Sequence, residues 1–460
     1  MSETKQAPEP QNINDIPPAW LSKQQLKKWN KKMKYIKKQA NKDTNNASIN
    51  TSSNNSSSQL RKKKKHQKNI RKHVPQYDDP NLKKKMKKHQ IQKRQEIRRD
   101  KRIGMFEHLP QFECNLYNIQ SIKIKNNINN IHPNIIHLGY YYNNGHFRGA
   151  NARCIAMLNA FKVFINDMNV PNDKRFSQVL LSQLNPAIRY LSECRPISMS
   201  MGNAIRFLKA KIRNIDNESD KNKDQQNMIL KSIDEFIQMK IETADFGIIK
   251  TMLDKKRIKN GDCILTYGLS SVVQQLIVVA YEKNIKFKVI IIDNGPLYEG
   301  KILLENLCKY CENLEVTYGL LNSLSYIMDS NEINSVILGC SSIFNNGTCV
   351  SRVGTGMVTL LAKNYKIPVV ILCETYKFSE RVQIDSICYN EIANFDGLIN
   401  NNKQTILKNW RNINGLKMLN IRYDLTPSEF ISIVVTEIGE IPPTSAPVII
   451  REYHRHRELQ

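Results

Sequence analysis

Apolar residues follow two different periods along this chain. From about residue 112 to 256 they return every three or four positions. Ile155, Leu158, Phe161 and Ile165 line one face, and Leu180, Leu184, Ile188 and Leu191 line another, the spacing of amphipathic helices. Pro186 predicts an interruption near the middle of the second stretch, and Pro196 its end. Met201–Ile215 reads as a helix, Asp216–Gln226 as a polar loop, and Met228–Met252 as a further helix with Gly247 inside it. Beyond residue 260 the period shortens. The β-branched runs Cys263–Thr266, Lys288–Ile292, Glu315–Tyr318, Ser335–Leu338 and Val369–Leu372 alternate with helix-compatible stretches such as Ser271–Lys283 and Gly300–Glu312. That alternation predicts a parallel sheet covered by helices on both faces, with ligands expected beyond the strand C-termini. A short run, Val448-Ile449-Ile450, reads as a strand before a polar end at 452–460.

Residues 1–110 show neither period. They hold an Asn/Ser run from Asn45 to Ser58 and the block Arg61-Lys62-Lys63-Lys64-Lys65, with too little to bury for a core. Leu26, Trp29, Met33 and Ile36 make one amphipathic basic patch within this expected disordered tail. Charge sharpens the division. Residues 1–110 carry 29 Lys+Arg against 9 Asp+Glu, a net of +20, which leaves +7 for all the rest. The expectations for the tail are a solvated extension, attraction to RNA or ribosomes, or attraction to a membrane surface. Few aromatics interleave its lysines, so no stacking platform for single strands is expected. No run of about 18 apolar residues suggests a membrane span. The start, Met-Ser-Glu-Thr-Lys-Gln, lacks the apolar core of a secretory signal. Ten scattered cysteines fit a reducing compartment, so a cytosolic protein is expected.

Two strand ends carry the chemical question. Ile264-Leu265-Thr266-Tyr267-Gly268 and Val336-Ile337-Leu338-Gly339-Cys340-Ser341 resemble the active-site strands of the methylthioribose-1-phosphate isomerase family. Those isomerases carry a thiol on the first strand and a carboxylate on the second. Moving a proton between adjacent carbons requires positioned acid/base groups, and Gly268 and Ser341 supply neither. The resemblance therefore implies an inherited frame with its chemistry lost, and no catalytic residue. It extends over residues 131–451. Asn151-Ala152-Arg153-Cys154, Cys194-Arg195-Pro196, Met201-Gly202-Asn203-Ala204-Ile205, Leu324-Ser325-Tyr326-Ile327-Met328, Gly347–Gly356, Asp424-Leu425-Thr426-Pro427 and Pro442-Pro443-Thr444-Ser445 carry it. Together they resemble the family that joins the alpha, beta and delta subunits of eukaryotic translation initiation factor 2B to the ribose-phosphate isomerases. The stretch Glu374–Gln383 is the piece most like the delta type.

This resemblance implies an α/β chain with a helical domain at 112–256 and a Rossmann-like parallel-sheet domain at 257–451. It also implies a non-catalytic regulatory subunit of the exchange complex for initiation factor 2. Such a subunit would scaffold that complex and sense phosphorylation of the factor 2 alpha subunit. Its partners would be the alpha, beta, gamma and epsilon subunits of factor 2B and initiation factor 2 itself, with no cofactor. The rival expectation is a sugar-phosphate isomerase or sugar-phosphate-binding protein of the same fold. Relatives usually carry an arginine before the proline after the second strand, where this chain has Asn294-Gly295-Pro296.

Several residues have both a chemical and a plain reading. Arg148 and Gly149 resemble the isomerases' phosphate loop, where a guanidinium and close backbone approach suit an anion; the plain reading is a turn leading into a helix. Arg352, Gly354 and Gly356 are expected near the same cleft, although a short Gly-x-Gly serves tight packing as readily. Cys308 and Cys311 have metal or redox spacing but no second pair of ligands, so structural thiols and no metal are expected. Cys340 is the thiol beside the former catalytic position. Tyr453-His454-Arg455-His456-Arg457 reads as a frayed basic terminus. Sensing a phosphate requires basic side chains, and Arg189, Arg195, Arg206, Lys209 and Lys211 are the candidates, with Arg206 and Lys209 preferred.

Overall fold

Six helices built on the first period come first: α1 (Pro133–Asn143), α2 (Ala150–Asn166), α3 (Phe176–Cys194), α4 (Met199–Asn214), α5 (Asn222–Ile237) and α6 (Thr243–Asp254). The computed structural model describes residues 103–111, 131–170, 173–217, 222–330, 332–399 and 406–459. The sequence reading of residues 1–102, and of 112–130, lies outside them. The helices start where the chemistry allows. Pro133 occupies the first turn of α1, whose Asn134 N–H bonds His132 Nδ1 at 3.3 Å. Ser198 Oγ caps α4 by accepting from Met201 N at 3.3 Å. Leu158, Phe161, Ile165, Leu180, Leu184 and Leu191 meet in one core around Tyr142 and Met157, with Ile155 and Ile188 packed at its margin.

Two details of this layer differ from the sequence reading. Helix α3 runs unbroken through Pro186. The proline lies on the exposed side of the helix, as does Ser182 one turn earlier, so the carbonyl it leaves without a backbone partner opens to water. The last long helix begins at Asn222, not Met228, and is divided by a π-turn at Gln238–Glu242 that joins α5 to α6.

The second period builds a seven-stranded sheet in the order β11-β10-β7-β4-β1-β2-β3. Its members are β1 (Cys263–Tyr267), β2 (Lys288–Asp293), β3 (Glu315–Leu320), β4 (Ser335–Gly339), β7 (Val369–Leu372), β10 (Ile433–Thr436) and β11 (Gly439–Ile441). All pair in parallel except the edge strand β11. The five predicted strands each appear, extended by at most two residues. Alternate residues supply two cores. Leu265, Ile290 and Ile292 face one, while Ile264, Val289 and Ile291 face the other. Helices α7 (Ser271–Glu282), α8 (Glu299–Tyr310), α9 (Leu324–Asp329) and α10 (Thr355–Asn364) join or flank the strands. The order reverses at β1, since β2 and β3 extend to one side and β4 to the other. The crevice of a doubly wound sheet opens at such a reversal.

A second sheet of four short strands runs β8-β5-β6-β9: β5 (Ser342–Phe344), β6 (Cys349–Arg352), β8 (Phe378–Ser379) and β9 (Tyr423–Thr426). Between β8 and β9 a long strap crosses the molecule. Residues 103–111 dock on this strap, which corrects the expectation that the tail is disordered through residue 110. Ile392 N bonds Pro110 O at 3.0 Å, Gln111 bridges to Ile392, and Ile392 bridges to Ile421. Leu109 is buried with Ile392, Phe395, Ile399 and Trp410 in a small separate core. The expected strand at Val448–Ile450 is instead part of helix α11 (Ala446–Leu459). Ala446 and Ile450, one turn apart, are buried on the same side, and that packing overrides β-branched propensity. The backbone of the polar terminus continues this helix.

Candidate functional site

Gly268 and Ser341, the positions that the resemblance matches to the isomerases' acid/base groups, follow adjacent strands at the reversal point, Gly268 directly after β1 and Ser341 two residues after β4. Gly268 has φ +62 and its N–H bonds Ile292 O at 2.8 Å. Ser341 N–H bonds Val350 O at 2.8 Å, which ties it to the second sheet. Beside Gly268, the Tyr267 hydroxyl donates to Val353 O at 2.6 Å. A Cβ on Gly354 would lie 2.3 Å from that hydroxyl oxygen, and φ there is +105, so glycine is required on both counts.

Of the expected anion-binding groups, Arg352, Gly354 and Gly356 are already engaged within the chain. The Arg352 guanidinium makes a two-pronged pair with Glu299, Nε to Oε2 and Nη2 to Oε1, both at 2.8 Å. Its Nη2 also donates to the carbonyl of Arg148 at 2.6 Å. Gly354 N and Gly356 N, at the start of α10, both donate to Asp424 Oδ2, at 2.7 and 3.0 Å. A helix N-terminus favours an anion, and here the chain's own carboxylate fills the place. Burial pushes the Asp424 carboxyl up to about 6, the two glycine N–H groups opposing it. Arg148 contributes only its carbonyl to this set, and both it and Gly149 are exposed. The remaining cavity, walled by Gly268, Asn294, Arg352, Asn420 and Arg422, measures about 40 Å³. That admits a few waters, far below the hundreds of Å³ of a small-molecule site.

Conserving the frame are bonds between the helices and the sheet. Asn203 Nδ2 donates to the carbonyls of Tyr376 and Phe378 at 2.7 and 2.8 Å. Asn151 donates to Glu374 Oε1 at 2.5 Å and accepts from the Tyr376 hydroxyl at 2.6 Å. Glu391, on the strap, receives Arg153 at 3.4 Å and Arg195 at 3.0 Å, all three buried.

This architecture and its motifs invite comparison with known proteins. The profile of the initiation factor 2 subunit family matches residues 146–443. The chain belongs to the initiation factor 2 subunit family. Within that family it is 41% identical over 389 residues to translation initiation factor eIF2B subunit delta of Dictyostelium discoideum, covering 83% of this chain. The match spans 61% of the Dictyostelium protein's length. It is 30% identical over 287 residues to the ribose 1,5-bisphosphate isomerase of Archaeoglobus fulgidus, covering 61% of this chain and 82% of that one. Among solved structures, the tetrameric eIF2B-beta2-delta2 complex from C. thermophilum matches with a TM-score of 0.62 at 30% identity. That match covers 74% of this chain and 99% of the other. The chain is thus similar both to translation factors and to a ribose 1,5-bisphosphate isomerase.

The basic candidates of the helical layer separate. Arg206 is exposed on α4 and bonds Asn203, and Lys209, one turn on, is half-buried. Arg189 is exposed and pairs with Glu193 at 3.3 Å. Arg195 is corrected: buried against Glu391 and bonded to Phe147 O at 3.1 Å, it is unavailable to a partner. Cys308 and Cys311 are free thiols, one exposed and one buried. Cys340 is buried, and burial raises its thiol well above the ordinary range. Among the described residues no helix is long and apolar enough to cross a membrane. No group of three or more His, Cys, Asp or Glu among them is placed to hold a metal.

The sequence reading did not assign Glu299, Asp424 and Glu391 as the groups that fill the cleft and the joint. Asp424-Leu425 stands inside a motif already noted in the sequence, and Glu299 just before the predicted helix Gly300–Glu312. Their partners lie 53 residues or more away along the chain, so only the fold shows what the carboxylates neutralise.

Proposed function

We infer that this chain is a non-catalytic regulatory subunit of a translation initiation factor 2B complex, of the delta type. The observation that carries this reading is the state of the cleft. Gly268 and Ser341 offer no acid/base pair, and Glu299 and Asp424 occupy Arg352 and the N–H groups of Gly354 and Gly356. The likeness to subunit delta and to a beta2-delta2 tetramer supports a beta-type partner for the sheet half. An apolar face suits that pairing: Tyr326 on α9 and Met357 and Leu360 on the neighbouring α10 are exposed. The alpha, gamma and epsilon subunits complete the proposed cytosolic assembly. Initiation factor 2 is its substrate, and the helical layer reads phosphorylation of the factor 2 alpha subunit through Arg206 and Lys209. A phosphorylated side chain would bring close to two negative charges to that basic stripe.

The test is gentle purification of the chain from its own cells, followed by intact mass and composition. An assembly containing four further factor 2B subunits and initiation factor 2 is the expected result. A free monomer or homodimer that turns over ribose bisphosphate would replace this reading with the isomerase one. Within the assembly, Arg206→Ala with Lys209→Ala should reduce the preference for phosphorylated over unphosphorylated factor 2. Binding of both forms unchanged from parent to variant would remove the assignment to α4.

A further inference from the structure

The sequence holds five Asn-Gly pairs, at Asn144, Asn260, Asn294, Asn346 and Asn414. Glycine after asparagine leaves the next main-chain nitrogen unshielded by a Cβ. That nitrogen can reach the side-chain amide carbon and close a five-membered imide. The reaction requires a side chain free to swing over its own main chain and a glycine N–H with no partner. All five pairs share this local chemistry, so only the fold separates them.

Four are held. Asn346 donates to Gln383 O at 2.9 Å and accepts from the Thr348 hydroxyl at 2.8 Å, while Gly347 N–H bonds Phe344 O at 2.9 Å. Asn260 accepts from Lys286 N at 2.8 Å, and Gly261 N–H bonds Lys286 O at 2.7 Å. Asn144 ends α1, and the buried Gly145 behind it gives its N–H to Tyr142 O at 3.2 Å. Asn294 is half-buried in the cleft wall, and the Tyr298 hydroxyl lies 3.0 Å from where a Cβ on Gly295 would stand. Asn414 differs. It and Gly415 are both exposed, and neither the Asn414 side chain nor the Gly415 N–H has a hydrogen-bond partner among the described residues.

The pair lies in the strap between Trp410 and Leu416, which both pack in the small core with Leu109 and Ile392. From Gly397 to Tyr423 the chain has no acidic residue, and the exposed Lys408, Arg411 and Lys417 flank the pair in sequence. We propose that Asn414 is a site of spontaneous modification, converted through an imide with Gly415 into β-linked and ordinary aspartate. The Gly415 nitrogen gives its proton to solvent and bonds Asn414 Cγ; the Cγ–Nδ2 bond breaks and ammonia leaves. Water then opens the imide at either carbonyl. The sum is asparagine plus water to acid plus ammonia, with no oxidant or cofactor. One opening restores the main chain and leaves an aspartate; the other routes the main chain through Cβ and lengthens the turn by one carbon. Both products add a carboxylate to a stretch that holds only cations, which favour it. The β-linked form also alters the spacing between Trp410 and Leu416 that closes the small core.

Peptide mapping of the full-length chain, aged in warm neutral buffer, tests this. Breaking a hydrogen bond or uncovering a half-buried side chain slows the other pairs, so Asn414 should convert about tenfold faster than any of them. Both products should form, the β-linked one revealed by labelling with an isoaspartyl carboxyl methyltransferase. In guanidinium chloride, where the fold no longer distinguishes them, the five should convert at similar rates. Asn414→Gln, whose longer side chain closes an imide far less readily, should lose the signal at this peptide and no other. Conversion of Asn414 no faster than the other four in the folded chain, aspartate without the β-linked isomer, or the same ranking in denaturant would overturn the proposal.

Discussion

Asp424 shows how a single side chain can close a site without blocking it sterically. One of its oxygens takes two backbone N–H groups that would otherwise face a ligand, and it sits well above the usual aspartate value because it is buried. Between about pH 4 and 6 the folded chain holds a proton there that the unfolded chain has released. Stability from this group is thus present in acid and is lost as pH rises through about 6, roughly 3 kcal/mol for a shift of about two units. Asp424→Asn keeps an oxygen before both glycine N–H groups and removes the titration. Urea unfolding should find the variant more stable than its parent at pH 7.5 by up to about 3 kcal/mol, with the difference vanishing near pH 4. A parent that gains on the variant as pH rises would contradict the account. At this scale the sequence was legible where a residue type is itself the message, as with Gly268, which cannot titrate. It was silent where meaning depends on a partner, as with Glu299 beneath Arg352.

Elements were legible in proportion to their length and periodicity. Five of the seven strands of the large sheet were visible as β-branched runs, while β10 and β11 were not assigned. The second sheet was not visible, since its strands have two to four residues, too few for any period. Val448-Ile449-Ile450 misled for a different reason: three β-branched residues carry strand propensity, but the face they bury repeats every four residues, not every two. That difference is measurable. On a strand Val448 and Ile450 would share a face, whereas on α11 Val448 is 46% exposed and Ile450 is 5% exposed. Ile450→Ala should cost about 2–4 kcal/mol in denaturant unfolding of the isolated chain, and Val448→Ala less than about 1 kcal/mol. Equal losses would argue for the strand.

For the molecule as a whole, the strap is the part that joins everything else. It sends Glu391 to the buried arginines of the helical layer, walls the cleft with Asn420 and Arg422, and receives residues 103–111 along a three-membered ladder. The chain has three tryptophans, and Trp410, in the small core that Leu109 completes, is the one outside the basic extension. Chains lacking residues 1–102 or 1–111 therefore each report from Trp410 alone. The shorter deletion should leave its emission blue and the strap resistant to protease. The longer should shift emission to the red and open cleavage between residues 385 and 422. Identical behaviour of the two would show that the docked segment contributes nothing. The docking also has a consequence in time. His108 bonds the carbonyl of Ile387, 279 positions further along, and a ribosome adding about 5–20 residues per second needs roughly 14–56 s to make that interval. Leu109 and Phe106 leave the ribosome long before the residues that will cover them exist. The stretch synthesised first among the described residues waits until the strap has been made, and until then its apolar side chains are open to chaperones, or to a neighbouring copy still being made.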